Sequence, residues 1–251
     1  MQIKTWEKGN RLAPENYDRL GHDQALQEII LDLEATLQYL KRLGIPLPIE
    51  TGEKSMSNKE KATALAEIDK QIRNCSLCGL SKGRKNAVPG EGNPAARVMF
   101  IGEGPGEEED KQGRPFVGKA GELLTKIIEN GMGLKQEEVY ITNVVKCRPP
   151  ENRDPLPEEI ARCEAYLEEQ LDMIQPHVIV TLGRVAAQAL LNSNTPISRL
   201  RGKFYRYKEI PLMPTFHPAY LLRNPGEKRS VWEDIKKVIS LLQEKGENKT
   251  E

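Results

Sequence analysis

Apolar residues recur every three or four positions in five long segments of the chain, which is the spacing of one buried helix face. These segments are 23–43, 58–73, 118–130, 157–174 and 229–244. Short apolar runs rich in β-branched residues predict strands at 97–101, 139–145, 178–182, 204–210 and 212–216. Because strands and helices alternate, we expect an α/β fold, a three-layer α/β/α sandwich around a central, mainly parallel four-stranded sheet.

The same pattern divides the chain into three parts. Residues 1–55 form an N-terminal helical extension and linker, residues 56–245 the main domain, and residues 246–251 a frayed tail. The stripe on helix 23–43 has two interpretations, since it suits packing on the main domain and also suits contact with a protein partner. The second helix begins at a capping box, in which Ser57 and Glu60 satisfy each other's backbone amides.

Composition narrows the class of protein. The 251 residues carry 37 Lys and Arg against 37 Asp and Glu, so the formal net charge is zero and no global field attracts nucleic acid. No apolar stretch is long enough to cross a membrane, and the first residues lack the apolar core of a signal peptide. We therefore expect a cytoplasmic monomer with no membrane contact and with reduced thiols.

A parallel sheet places its functional site beyond the carboxyl ends of its strands. That rule brings four loops into one crevice, at 102–116, 143–153, 183–184 and 217–223. These loops contain the side chains in which we look for chemistry.

Four cysteines form the clearest constellation. Cys75 and Cys78 have the C-x2-C spacing of a chelating pair, and Cys147 and Cys163 follow much later. A tetrathiolate metal site explains all four better than a redox dithiol or four unrelated thiols. The second pair is not a zinc knuckle, so spacing favours an iron–sulfur cluster and leaves zinc as the alternative.

The loop after the first strand, GEGPGEEED, is too acidic to cradle phosphate and has no P-loop lysine. Glu103 and Glu109 are candidates for holding a water molecule or a hydrogen-bond donor, whereas Glu107 and Glu108 suit a solvated surface. Phe116, later in this loop, offers a ring that can stack on a flat ligand, although core packing is the more common role of such a residue.

Asn143 and His217 follow two further strands. The amide of Asn143 presents a donor and an acceptor side by side, which matches the edge of a nucleobase and equally suits a turn. His217 has a position in the expected crevice that His22 and His177 lack, and it can stabilise a developing anion or act as an acid or base.

Basic residues are concentrated near the same loops. Between 197 and 229 eight basic residues face two acidic ones, and further basic residues extend the set at Lys82, Arg84, Lys85, Lys146, Arg148 and Arg153. A basic rim around a polar and aromatic crevice indicates a nucleic-acid backbone outside and a base inside. Leu221 or Leu222 is placed to fill the stack that an extruded base leaves, or else to pack in the core.

Several motifs together resemble the family 4 uracil-DNA glycosylases, iron–sulfur members of the uracil-DNA glycosylase superfamily. They are GEGPGEEEDKQGRPFVGKAGELL, TNVVKCRPPENRDPLPEEIARC, the CSLC pair and TFHPAYLLR, and all four cysteines match in order. The resemblance covers about 65–243 and leaves the N-terminal 55 residues unmatched.

The resemblance implies a DNA repair enzyme that flips uracil out of DNA and hydrolyses its glycosidic bond. It implies a structural [4Fe-4S] cluster on Cys75, Cys78, Cys147 and Cys163. Phe116 would stack on uracil, Asn143 would recognise its polar edge and His217 would donate to its O2. Glu103, Glu109 and Asn152 would place water or the pocket loops. Gly104 stands where related families carry a water-orienting Asp, so Glu103 is our candidate for that role.

Two other classes stay open. A non-catalytic nucleic-acid-binding module with a structural metal site would bind DNA without releasing a base. A redox iron–sulfur protein would couple its activity to reversible reduction. Release of free uracil from DNA separates both from the glycosylase.

Overall fold

The structure is a computed structural model that describes residues 56–247, together with positions 32, 33, 36, 39 and 40. The chain divides into two compact units, Met1–Ser55 and Met56–Glu251. In the first unit the five described positions are helical, and the rest of the predicted helix 23–43 lies outside the described residues. The last four residues of the predicted tail also lie outside them.

The described residues of the second unit contain six strands. They are β1 (Glu91–Gly92), β2 (Val98–Gly102), β3 (Tyr140–Asn143), β4 (Val178–Leu182), β5 (Tyr205–Tyr207) and β6 (Ile210–Thr215). The helices are α1 (Asn58–Asn74), α2 (Glu107–Gln112), α3 (Lys119–Lys126), α4 (Pro157–Ile174), α5 (Arg184–Leu191), α6 (Ile197–Leu200), α7 (Pro218–Arg223) and α8 (Lys228–Glu247). A π-helical turn, Ile127–Met132, continues α3, and short 3-10 turns cover Gly79–Lys82, Gln136–Glu138, Pro150–Asn152 and Pro225–Glu227.

The strands form one sheet in the order β1-β3-β2-β4-β6-β5. The four central strands are parallel, whereas β1 and β5 pair antiparallel to the edges. The expected fold class is confirmed, but the expected count of four strands is wrong. The additional edge strands have two and three residues, and their pairing comes from tertiary contact rather than from an apolar pattern.

Helices cover both faces of the sheet because successive strand residues point to opposite sides. Met99 and Ile101 of β2 pack beneath α1, α4 and α5, whereas Val98 and Phe100 pack beneath α3, α7 and α8. All four of these strand residues are at most 1% exposed. The three-layer arrangement therefore follows from the unbroken apolar strands that the sequence showed.

The predicted helix start at Ser57 is confirmed, because side-chain hydrogen bonds determine it. Ser57 and Glu60 form the capping box at the start of α1. The strand expected at 139–145 ends at Asn143, because the next two amides bond to the carbonyls of Gly102 and Glu103 as the chain leaves the sheet. Helix α8 continues through Glu247, past the expected start of the tail at 246.

Among the described residues, none of the helices has both the length and the apolar character needed to cross a bilayer.

Candidate active site and cysteine cluster

A cleft of about 470 Å³ opens at the carboxyl ends of the parallel strands. Its walls include all seven non-cysteine residues expected from the sequence, namely Glu103, Gly104, Glu109, Phe116, Asn143, Asn152 and His217. These residues come from the loops after β2, β3 and β6, which are far apart along the chain. The topology therefore assembles one site from separate motifs.

Asn143 is the last residue of β3 and stands opposite Gly102 of β2. Its side chain is 2% exposed, and within the described part of the chain its Oδ1 has no hydrogen-bond partner. A Cβ atom at position 102 would lie 2.4 Å from that oxygen, so the glycine leaves room beside it. A buried carbonyl without a donor is costly unless a ligand supplies one.

Phe116 is held in an unusual backbone conformation, with φ of 52°. Its carbonyl lies against α3, where a Cβ at position 121 would be 1.7 Å away, so Gly121 is required for this approach. The Phe116 ring lies beside the His217 ring, with centroids 5.6 Å apart and an angle of 29° between the planes. Left-handed backbone at a bulky residue costs free energy and is found preferentially at functional sites.

His217 follows β6 and forms the N-cap of α7. Its Nδ1 accepts a hydrogen bond of 3.1 Å from the backbone amide of Ala219, which assigns the proton of the neutral ring to Nε2. Burial, together with the nearby Arg223 guanidinium, lowers the pKa of His217 to about 4. The ring is therefore a neutral Nε2–H donor at physiological pH.

The two acidic residues of the cleft have different surroundings. Burial and repulsion from Asp154 raise the pKa of Glu103 to about 7, against a smaller attraction from Arg184. Glu109 directs Oε1 at the backbone amides of Val117 and Gly118, each at 3.0 Å. Its carboxylate therefore fixes the Phe116 loop and the start of α3, whereas Glu103 has a perturbed pKa of the kind that general bases show.

Asn152 and Gly104 complete the cleft wall. Asn152 has a φ of 55° and accepts a hydrogen bond of 2.8 Å from Arg148 Nε. A Cβ at Gly104 would lie 2.7 Å from Val145 Cγ2, so a larger residue would displace the loop after β3.

The sequence missed several residues of the cleft. Asp154 and Arg184 form an ion pair near Glu103, and Gly183 approaches the His217 Cβ so closely that its own Cβ would lie 3.0 Å away. Tyr220 of α7 also lines the wall, next to Arg223, which belongs to the basic rim already expected from the sequence. The loop at 183–184 was expected at the crevice, but no pattern in the sequence indicated that Arg184 would pair with Asp154.

The prediction of a basic rim is wrong for several of its residues. Lys146 is buried at 1% exposure, and Arg84 donates to Cys147 Sγ at 3.0 Å rather than facing solvent. Arg201 pairs with the buried Asp234 at 2.7 Å. Ion pairs also hold Arg206 to Glu209 and Lys208 to Glu168. Leu221 is 1% exposed and belongs to the core, whereas Leu222 is 46% exposed beside Arg223.

The four cysteines are free thiols, three in loops and Cys163 in helix α4. Cys147 and Cys163 are buried, Cys75 and Cys78 are partly buried, and Cys75 interacts electrostatically with both buried thiols. Backbone amides donate to two of the sulfurs, from Leu77 to Cys75 and from Lys146 to Cys163. Among the described residues, no group of three or more His, Cys, Asp or Glu side chains is arranged to hold one metal ion.

Burial raises the pKa of Cys163 to about 11 and also raises that of Cys147. Thiols in such surroundings remain protonated unless a cation compensates their charge, and the amide and Arg84 donors supply part of that compensation. Hydrogen bonds reach three of the four sulfurs, and in iron–sulfur proteins such bonds tune the sulfur ligands.

Comparison with known proteins bears on this site. Residues 89–236 match the uracil DNA glycosylase superfamily. A type-4 uracil-DNA glycosylase of Saccharolobus solfataricus is 49% identical over 71% of this chain and 86% of its own length. Enzymes of the same name from Sulfurisphaera tokodaii (48%, 71% and 84%) and Thermotoga maritima (46%, 71% and 95%) are similar. The resemblance inferred from the motifs is therefore confirmed, and the chain belongs to the type-4 uracil-DNA glycosylases of the uracil-DNA glycosylase superfamily.

Proposed function

We propose that the protein is a monofunctional uracil-DNA glycosylase that takes uracil out of DNA and hydrolyses its N-glycosidic bond, leaving an abasic site. The observation that carries the proposal is that one cleft brings together three groups. They are the neutral imidazole donor of His217, the buried Asn143 Oδ1, which has no hydrogen-bond partner among the described residues, and the ring of Phe116, whose backbone is left-handed. Names of the curated relatives support the same substrate.

Recognition of uracil starts from Asn143. The unpartnered Oδ1 can accept from N3–H of uracil, and the amide nitrogen can donate to O4. Cytosine presents an amino group and an unprotonated N3 at these positions, so donor would meet donor and acceptor would meet acceptor. A buried mismatch of this kind rejects the wrong substrate strongly. Phe116 supplies the stacking face for the extruded base.

Bond cleavage is assigned to His217 and Glu103. As the C1′–N1 bond lengthens, negative charge gathers on uracil O2, and a fixed donor at that oxygen contributes roughly 3–4 kcal/mol. His217 is suited to this role because its remaining proton is on Nε2. Glu103, when ionised, can hold the water that adds to C1′, while Glu109 and Asn152 hold the loops around the base.

The experiment is incubation with a single-uracil oligonucleotide, followed by assay of free uracil and of alkali-labile sites. We expect both products without strand cleavage by the enzyme itself, since none of the described residues that line the cleft is a lysine able to act as a Schiff-base nucleophile. His217→Ala should slow single-turnover release by about 10²–10³-fold. His177→Ala at the opposite end of β4 is the control. Salt-sensitive binding with no uracil release would favour the non-catalytic module instead.

We further propose that Cys75, Cys78, Cys147 and Cys163 hold a structural [4Fe-4S] cluster. When bound, the cluster supplies a rigid crosslink between the loop after α1, the loop after β3 and helix α4. Iron and acid-labile sulfide in anaerobically purified protein, lost in Cys163→Ser, are expected. Stoichiometric zinc without iron would contradict this assignment. An activity that follows reversible reduction would favour the redox class.

A further inference from the structure

Lys146 is one of the most completely buried side chains, although it is a lysine. Its Nζ donates to Thr142 Oγ1 at 2.7 Å, to the Asn143 main-chain carbonyl at 2.8 Å and to Gln170 Oε1 at 2.7 Å. In the part of the chain that is described, Lys146 forms no ion pair. All three hydrogen bonds of the ammonium go to neutral oxygens, and the Asp69 carboxylate attracts it from a longer distance. A buried cation without a direct ion pair is expensive, so its three bonds call for a role.

The acceptors of Lys146 are themselves anchored. Gln170, which is fully buried on α4, donates to the carbonyl of Pro89 at 3.0 Å, and the Thr142 hydroxyl bonds to the same carbonyl at 2.6 Å. The network therefore ties β3 to α4 and to the segment before β1. None of these side chains lines the cleft, so none of them can touch a bound base.

The main chain of Lys146 is fixed as well. Its amide donates to Cys163 Sγ at 3.3 Å, and its carbonyl accepts from Val88 at 2.8 Å. The lysine thus stands between the cysteine cluster and Asn143, and its ammonium bonds to the residue whose amide faces the cleft.

We propose that Lys146 is a positioning residue that fixes Asn143 for discrimination between uracil and cytosine. This inference rests on the proposed function. Without the ammonium, the Asn143 carbonyl loses this donor, and the peptide after Asn143 is held only at its amide, by the bond from Val144 to the Gly102 carbonyl. The side-chain amide would then no longer be held in the single orientation that distinguishes the two pyrimidines, since displacement of a recognition group by an ångström has large effects.

The test compares Lys146→Met, of similar length but without donors, with Lys146→Gln, which keeps one amide donor. Lys61→Met is the matched control, because Lys61 Nζ also donates to a main-chain carbonyl, that of Ile174, but far from the cleft. Single-turnover rates are measured on uracil and cytosine oligonucleotides, with burst amplitudes giving the active fraction. The ratio of the two rates does not depend on how much of the variant is folded.

We expect Lys146→Met to release uracil about tenfold more slowly and to lower the uracil-to-cytosine ratio about tenfold. Lys146→Gln should lie between it and the unmodified enzyme, and Lys61→Met should match the unmodified enzyme. An unchanged ratio in Lys146→Met, with or without a lower melting temperature, would overturn the proposal. Failure of the unmodified protein to release uracil would instead overturn the proposed function. Equilibrium dialysis with free uracil then still tests Lys146, through weaker binding in the methionine variant.

Discussion

Individual residues in the cleft differ in what burial does to them. Burial makes His217 a neutral donor, and it raises the pKa of Glu103 into the range in which proton uptake and release occur near neutrality. Burial disfavours the charged form of both groups. It therefore leaves His217 as a neutral hydrogen-bond donor and makes Glu103 a carboxylate that titrates near neutral pH.

The pH dependence of uracil release tests Glu103. The ionised carboxylate is the active form, so the rate should rise with pH through about 7 and level off above it. Glu103→Gln should remove this rise and slow release by roughly 10–10²-fold. Glu107→Gln is the control, since Glu107 is an exposed residue paired with Lys111. A rate profile that stays flat between about pH 5 and 9, which are about two units either side of that pKa, would contradict the assignment.

Glu103 should also affect stability in a predictable direction. Its pKa is higher in the folded state, so its contribution is fully favourable below its ordinary pKa and is lost as pH rises through about 7. We expect Glu103→Gln to be more stable than the unmodified protein by about 1–2 kcal/mol at alkaline pH but not at acidic pH. Urea unfolding at the two pH values measures this, and equal differences at both would contradict it.

We assign the discrimination between uracil and cytosine to Asn143. Asn143→Asp removes the amide donor and offers a second oxygen, so preference should shift from uracil toward cytosine while release of uracil falls by about 10²-fold. Asn130→Asp makes the same chemical change outside this cleft and serves as the control. The measurement is free base released from paired oligonucleotides that differ only in the pyrimidine, and an unchanged preference would remove the recognition role.

At the scale of elements, a single carboxylate connects α2 to the start of α3. Glu109 on α2 bonds to the amides of Val117 and Gly118, which would otherwise lack partners at the helix start. Glu109→Ala should therefore lower the free energy of unfolding by about 1 kcal/mol and slow uracil release by loosening Phe116. Glu108→Ala on the same helix is the control. Denaturant unfolding and single-turnover rates measure both effects, and an effect on neither would contradict the link.

Elements differed in how well the sequence predicted them. Strands β2 and β4 and helices α1 and α4 followed from apolar runs and periodicity, because burial on one or both faces decides them. Strand β1 has two residues, Glu and Gly, and exists only because β3 accepts it. The left-handed Phe116 and the inward Lys146 depend on contacts from distant segments, which no local pattern contains. Candidate residues were found because strand ends placed them in one crevice.

The whole molecule comprises a glycosylase unit and a separate N-terminal unit. Residues that line the cleft and all four cysteines belong to Met56–Glu251, and the superfamily match lies within that range. We expect a variant lacking residues 1–55 to keep its single-turnover rate within about twofold of the full chain, because no assigned group is removed. Rates of the two proteins measured side by side test this, and a tenfold loss would assign the extension a catalytic contribution.

The sheet closes at both margins with brief antiparallel strands, two residues at one side and three at the other. Such short edge strands offer few unpaired amides and carbonyls to the edge strand of another copy. Arg206 and Glu209 also place charges at the β5 edge. Growth of the sheet from molecule to molecule is thereby discouraged. We therefore expect this unit to resist strand pairing between copies, even though its central strands β2 and β4 are fully buried and apolar.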